Sequence, residues 1–233
     1  MPRDPYETQQ ALLGADRAVV IVDAGAYVGD TAVRYAGLFP RAAAVHAFEP
    51  SPENYRQLVA FTRDMPAVVR HNAALADATG PRAFRVNAFG PTDSLLPRPR
   101  AGRRYFPRSA GTVREVTVDA VALDDWAGQH GVDHIDLLKM DIQGGELLAL
   151  RGAGRLLREQ RIDVVFTEVA FVPHYQDAPL YHHLAALLEP YDYGVYDLVP
   201  DVHARDGQLR YGEAIFLSRR FRTVTVDAQP DEP

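Results

Sequence analysis

VVIVDAGAYVGDTAVRYAGLFPRAAAVHAFEPS, residues Val19–Ser51, is the stretch that decides the fold. An apolar run ends in Asp23, a turn carries Gly25 and Gly29, a short helix follows, and a second apolar run ends in Glu49. Short β-branched runs bounded by glycine read as buried parallel strands, and glycine at the strand-to-helix turn lets backbone approach a ligand closely. The order is the opening half of a nucleotide-binding βαβ unit. Glu49 falls at the tip of the second strand, where a carboxylate accepts both hydroxyls of a ribose. An adenosine-containing cofactor is therefore expected.

Spacing and charge choose among such cofactors. A dinucleotide turn needs G-x-G-x-x-G so that a helix N-terminus faces a pyrophosphate; this loop reads Asp23-Ala-Gly25-Ala-Tyr-Val-Gly29-Asp30 and lacks the third glycine. Two flanking carboxylates repel phosphate but suit the ammonium and sulfonium of S-adenosyl-L-methionine. No G-K-[ST] occurs, which removes a Walker loop. The bland alternative is a ligand-free βαβ turn.

The remaining composition narrows the class. With 233 residues, 47% of them hydrophobic, the chain is long enough for one well-buried domain spanning 1–233, with 1–17 as a polar N-terminal extension. A net charge of −6 argues against a general nucleic-acid partner. The absence of cysteine removes disulfides, thiolate zinc sites and thiol catalysis. No signal-like or membrane-length apolar run is visible, so a cytoplasmic protein without a membrane partner is expected. A homodimer is compatible with the sequence.

Further along, 52–64 reads as a helix with Tyr55, Leu58, Val59 and Phe61 for an apolar face, and 67–72 as a third strand. Segments 82–87 and 113–118 alternate apolar and polar, as half-buried strands do. Between them, 90–111 carries four prolines and the arginines Arg98, Arg100, Arg103, Arg104 and Arg108 with Tyr105 and Phe106. This long loop either grips substrate or is merely solvated. Then come a helix at 123–130, a strand at 135–141, a helix at 146–158, a strand at 163–168, a helix at 180–188, and strands at 195–199 and 214–217. The last two lack a crossover helix and are read as antiparallel. The fold expected is α/β: a Rossmann-like, seven-stranded, mostly parallel, doubly wound sheet with an antiparallel C-terminal strand.

Asp23, Glu49, Asp141 and Glu168 all stand at or near the carboxyl ends of apolar runs, the edge where open α/β sheets bind ligands. At this point the chain resembles the FkbM-type class I methyltransferases. The matching segments are VDAGAYVGDTA (22–32), VHAFEPSPENYRQL (45–58), HNAALAD (71–77), VALDDW (121–126) and LLKMDIQGGELLALRGA (137–153). The resemblance implies that Asp23, Gly25, Tyr27, Gly29, Asp30 and Thr31 form the methionine-side loop. It places Glu49 on the ribose, Pro50, Ser51, Asn72 and Ala73 around the adenine, and Asp141 at the reaction centre. The family usually has Glu where this chain has Gln143; Gln keeps the hydrogen-bonding shape but neither the charge nor the basicity.

Several groups are candidates for activating an acceptor. Lys139 points to the same face as Asp141 and is either a general base or a cation neutralised by Asp136, Asp141 or Glu146. Asp141 and Glu168 together are candidate Mg²⁺ ligands, the less favoured reading because Val169 and Ala170 offer no third ligand. His174, in a loop after the Glu168 strand, is a candidate base or a surface histidine. No Asn-Pro-Pro-Tyr motif for gripping a planar nitrogen occurs, so the acceptor expected is a hydroxyl on a small molecule. By the resemblance it is a sugar or polyketide-like natural product. The rivals are an NAD-dependent oxidoreductase and a non-catalytic cofactor-binding protein.

Overall fold

The computed structural model describes residues 4–98 and 111–229. Its central sheet is built first from the quoted stretch: β1 (Val20–Ala24), α2 (Asp30–Leu38), which follows α1 (Pro5–Leu13) in the chain, and β2 (Ala44–Phe48). The chain continues through α3 (Pro52–Phe61), β3 (Val68–His71), β4 (Ala74–Leu75), β5 (Gly80–Asn87), β6 (Thr112–Val121), α4 (Leu123–His130) and β7 (Ile135–Met140). It ends with α5 (Glu146–Arg151), α6 (Gly154–Arg158), β8 (Ile162–Ala170), α7 (Tyr181–Leu188), β9 (Tyr193–His203), β10 (Leu209–Ser218) and α8 (Arg219–Thr225).

Seven strands order as β3-β2-β1-β7-β8-β10-β9. The first five run parallel, and β10 lies antiparallel between β8 and β9. Strand order reverses between β1 and β7, so a crevice opens at their carboxyl ends. Successive residues of one strand serve opposite faces: Val22, Leu138 and Val165 join one buried cluster, Ile21, Leu137 and Val164 the other. Every residue of β7 is buried, as a strand covered on both sides requires.

The alternating segments 82–87 and 113–118 do not enter this sheet. As β5 and β6 they pair antiparallel and, with β4, form a second, three-stranded sheet. A strand with one polar face cannot be buried on both sides, and this small sheet leaves the mixed faces partly exposed.

The helix expected over 146–158 is broken into α5 and α6. A Cβ at Gly152 would run into the carbonyl oxygen of Ala76, so the chain passes close to the β4 end there. Asp124 of α4 then receives Arg155 N (2.6 Å) and Leu156 N (3.0 Å), capping α6 from outside. In α3 the buried residues are Asn54 and Leu58, while Val59 and Phe61 are 39% and 56% exposed, so the apolar face expected there is only half used.

Residues Pro5–Leu13 form α1, which packs on the sheet. Asp4 caps α1 by accepting Tyr6 N (2.9 Å), and Thr8, Gln9 and Leu13 are buried. Tyr6 meets Phe166 edge-on, its other side covered by the Arg34 guanidinium 3.7 Å from the ring centre. Among the described residues no helix is long and apolar enough to cross a membrane.

Candidate active site

Three strand ends build the crevice. After β1, Gly25 adopts φ 79°, and a Cβ there would run into the carbonyl oxygen of Asp141, so only glycine lets the β1 and β7 ends lie this close. Gly25 N and Ala26 N donate to Phe48 O at 3.1 and 3.0 Å, tying the loop to the end of β2. Tyr27 sits in the left-handed region at φ 50°, and its N–H donates to Glu49 Oε2 (3.0 Å).

Glu49 is 5% exposed and lines a cavity of about 230 Å³. Its other oxygen, Oε1, accepts Ser51 N (2.8 Å). Burial pushes its pKa up to about 7, against the opposing pull of the Ser51, Tyr27 and Asn54 hydrogen bonds. The cavity is also lined by Gly25, Tyr27, Asp30, Thr31, Pro50 and Ala73. Ser51 and Asn72 do not line it: Ser51 is buried and Asn72 is exposed. Asn72 Nδ2 donates to Glu49 O (2.8 Å) and Pro50 O (3.2 Å), fixing the backbone that presents Glu49.

Asp23 stands behind the wall, 0% exposed, with Lys139 Nζ 3.0 Å from Oδ1 across the β1–β7 pairing. Lys139 Nζ donates as well to Gly25 O at 3.3 Å. Burial works against the ammonium, but Asp23 and then Asp141 outweigh it and hold the Lys139 pKa above its ordinary value. The neutralising partner of Lys139 is thus Asp23. Asp136, named from sequence as a partner, lies at the other end of β7 and binds Arg17 (2.9 Å) and Val20 N (2.7 Å).

A second, more polar cavity of about 140 Å³ shares Thr31, Lys139 and Asp141 with the first. Its carboxylates are Asp141, Glu168, Asp201 and Glu213, and Tyr6 and Tyr211 complete its polar wall. Glu168 and Glu213 face each other directly across the β8–β10 pairing. Burial and then the charge of Asp141 raise the Glu168 pKa well above the carboxylate range, and the same two causes bring Glu213 to about 7.

Gln143 joins two of these acids. Its Nε2 donates to Asp141 Oδ1 (2.8 Å) and Glu168 Oε2 (3.3 Å), and its Oε1 lies 2.7 Å from the Tyr175 hydroxyl. Asp141 and Glu168, expected on one rim, are therefore brought together. His174 is not among the residues lining either cavity. It lies 3.4 Å from Arg210 and edge-on to Tyr211, and burial, with the charges of Arg210 and Arg98, lowers its pKa to about 4. Of the basic loop, Arg98 lies over the Tyr175 ring, 4.6 Å from its centre. Arg100, Arg103, Arg104, Tyr105, Phe106 and Arg108 lie outside the described residues.

Sequence reasoning missed the roof of the first cavity. Phe84 of β5 with Asp93 and Leu95 beyond it belong to the small sheet and its edge, where Ser94 pairs with Arg85. The alternation in 82–87 suggested a half-buried strand but not which residue faces the cavity. Phe48 lines the same cavity. Its ring stacks on His71 (4.4 Å, 18°) and meets Trp126 edge-on (5.2 Å, 78°).

Comparison with known proteins matches residues 23–195 to the model described as the methyltransferase FkbM domain. The 2-O-methyltransferase NoeI of Sinorhizobium fredii is 27% identical over 170 residues, covering 70% of this chain and 65% of that protein, so this chain spans just under two thirds of that relative's length. The crystal structure of methyltransferase FkbM from Methylobacillus flagellatus matches with TM-score 0.52 at 18% identity, over 92% of this chain and 55% of that one. Aeropyrum pernix fibrillarin, solved with natively bound S-adenosyl-L-methionine, matches with TM-score 0.51 at 13% identity, over 91% of this chain and 74% of that one. With the family model covering most of its length, this chain belongs to the FkbM methyltransferase domain family.

Proposed function

We propose that this chain is an S-adenosyl-L-methionine-dependent O-methyltransferase acting on a hydroxyl of a small molecule, with a sugar or polyketide-like natural product as the substrate class. The observation that carries this reading is the pair of cavities meeting at Thr31, Lys139 and Asp141: one has a carboxylate placed for a ribose diol, the other is walled by acids. The fit to the cofactor rests on Glu49. A carboxylate has about four acceptor sites, and Tyr27 N and Ser51 N fill only part of that capacity. The similarity to NoeI, a 2-O-methyltransferase, supports oxygen as the acceptor atom.

When bound, S-adenosyl-L-methionine supplies a methyl group on a sulfonium, electrophilic without further activation. The chain's own residues then do three things. Glu49 and the Gly25–Tyr27 turn hold the nucleoside, and alignment of this kind is worth about 7–11 kcal/mol of barrier. Glu168 accepts the proton of the acceptor hydroxyl as the oxygen forms its bond to carbon; burial and the charge of Asp141 raise its pKa, which makes it a stronger base than an exposed carboxylate. Lys139, charged and paired with Asp23, has no lone pair to offer and serves as a fixed cation under the loop. His174 lies off both cavity walls and is assigned no step. Four acids around the second cavity disfavour an anionic acceptor and favour a neutral polyol.

The test is calorimetric titration with S-adenosylhomocysteine and with NAD, followed by transfer of labelled methyl to a panel of glycosides and phenolic or polyketide hydroxyls. Micromolar S-adenosylhomocysteine binding, no NAD binding and label in an ether bond are expected. Preference for NAD sinks the reading; cofactor binding with no transfer to any acceptor leaves a binding protein.

A further inference from the structure

We propose that the side-chain amide of Gln143 stands where a divalent cation would otherwise bridge Asp141 and Glu168, and that this residue keeps the carboxylate pair free of metal. The inference deepens the methyl-transfer reading, because these two acids wall the cavity assigned to the acceptor.

The geometry is that of a clasp. A primary amide carries two N–H donors on one nitrogen, and here that nitrogen reaches one oxygen of each carboxylate, at 2.8 and 3.3 Å. Turned over, the amide would set its carbonyl oxygen against the Asp141 carboxylate, which disfavours that orientation. The Tyr175 hydroxyl, 2.7 Å from Oε1, holds it from behind, and Tyr175 is itself 3% exposed. A bridging Mg²⁺ would need both carboxylates as oxygen ligands at about 2.0–2.1 Å in a near-octahedral shell. The amide hydrogens occupy that space and offer no lone pair toward it.

The backbone is built to aim this side chain. Gln143 adopts φ 56°, a left-handed conformation uncommon outside glycine. Ser94 Oγ donates to its carbonyl at 2.7 Å. Glu146 Oε1 accepts Ile142 N (3.0 Å) and Gly144 N (3.2 Å), closing the turn on both sides. A strained residue held by three separate segments at a cavity wall is what a positioning role requires. Gln143 acts through Asp141 and Glu168, as a positioning residue.

The experiment titrates Mn²⁺ into the full chain by calorimetry, with S-adenosylhomocysteine titrated into the same samples. Wild type is expected to show no saturable Mn²⁺ binding that depends on Asp141, and chelator should leave its methyl transfer unchanged. Gln143→Glu, which puts a third carboxylate on the gap, is expected to bind Mn²⁺, and adding Glu168→Gln should weaken that binding by about 10-fold or more. Should Gln143→Glu fail to fold, Gln143→Ala reads the same claim, since emptying the clasp opens the gap to the ion. Saturable Mn²⁺ binding by wild type that Asp141→Asn abolishes, loss of methyl transfer in chelated wild type, or no Mn²⁺ binding by either folded variant would each overturn the proposal. Absent S-adenosylhomocysteine binding with the expected Mn²⁺ results would instead remove the methyl-transfer reading and leave the clasp standing.

Discussion

β7 and β8 each carry acids at both ends, and the two ends treat them oppositely. At the amino ends, Asp136 meets Arg17 and Val20 N, and Asp163 meets His134 at 3.1 Å. Ligand atoms of His134, Asp136 and Asp163 come within 4.8 Å of one another, yet each acid is already matched by a protein cation or N–H. At the carboxyl ends, Asp141, Glu168 and Glu213 crowd one small cavity whose lining, among the described residues, has a single cation, Lys139, already tied to Asp23. Like charges opposite each other across a sheet are destabilising, and Glu168 opposite Glu213 is such a pair. The amino-end acids are matched by cations or backbone N–H groups, whereas Asp141 and Glu168 share one neutral side-chain amide, Gln143, and turn toward a cavity, which is where the proposed acceptor site lies.

The sharpest way to break the contrast is to remove its one buried cation. Lys139→Met leaves Asp23 wholly buried without a partner, at a cost of about 3–5 kcal/mol in stability; denaturant unfolding giving a wild-type midpoint would show the pair to be dispensable. Next in size, Glu168→Gln should lower methyl transfer by about 10²–10⁴-fold while S-adenosylhomocysteine affinity stays at its wild-type value. A matching fall in affinity would mean that the two cavities are not separate in function.

Glu49→Ala tests the other wall. Loss of charged acceptors for a ribose diol should weaken S-adenosylhomocysteine by about 2–3 kcal/mol, roughly 50-fold, and calorimetry with an unchanged constant would remove the ribose role.

The same residue predicts a pH dependence. Glu49 is raised from 4.5 to about 7 in the free protein, so it carries a proton between those values, and its contribution to folding is present below that window and lost as pH rises through it. A ligand that needs the charged form must displace that proton. Affinity should therefore fall about tenfold per pH unit below 7, and Glu49→Gln should flatten the slope; an equally steep slope in that variant would assign the proton elsewhere.

The smallest effect belongs to the matched end. The hydrogen bond that His134 donates to Asp163 raises the His134 pKa above 6.5, so this pair stabilises the fold fully below the unfolded value and ceases to do so as pH rises through the folded one. Asp163→Asn should cost no more than about 1 kcal/mol at acid pH and less in alkali; thermal melts showing the reverse pH trend would contradict the assignment.

What the sequence showed and what it hid follow from range. Asp23, Glu49, Asp141 and Glu168 could be placed on one rim because each closes an apolar run, and a parallel sheet puts such ends together. Register across an antiparallel pair is not written in either strand, so Glu213 opposite Glu168 was invisible. The partner of Lys139 stands on the first strand, far off in sequence but level with it where β1 and β7 pair, so the sequence offered Asp141, which does help to hold the charge, but not Asp23. Tyr6 was passed over because a nine-residue helix with few apolar side chains carries little periodic signal. The break at Gly152 shows only once Ala76 lies against it.

One aromatic contact has an optical consequence. Trp126 is the chain's single tryptophan, and it lies against Phe48 on one side and stacks on His130 on the other (5.2 Å, 28°). Phe48 in turn lines the cavity proposed for the cofactor. With excitation at the red edge, where the eleven tyrosines absorb little, emission comes from one indole, a single ring away from that cavity. Filling that cavity should change its intensity or wavelength, giving a label-free binding signal that owes nothing to the identity of the methyl acceptor.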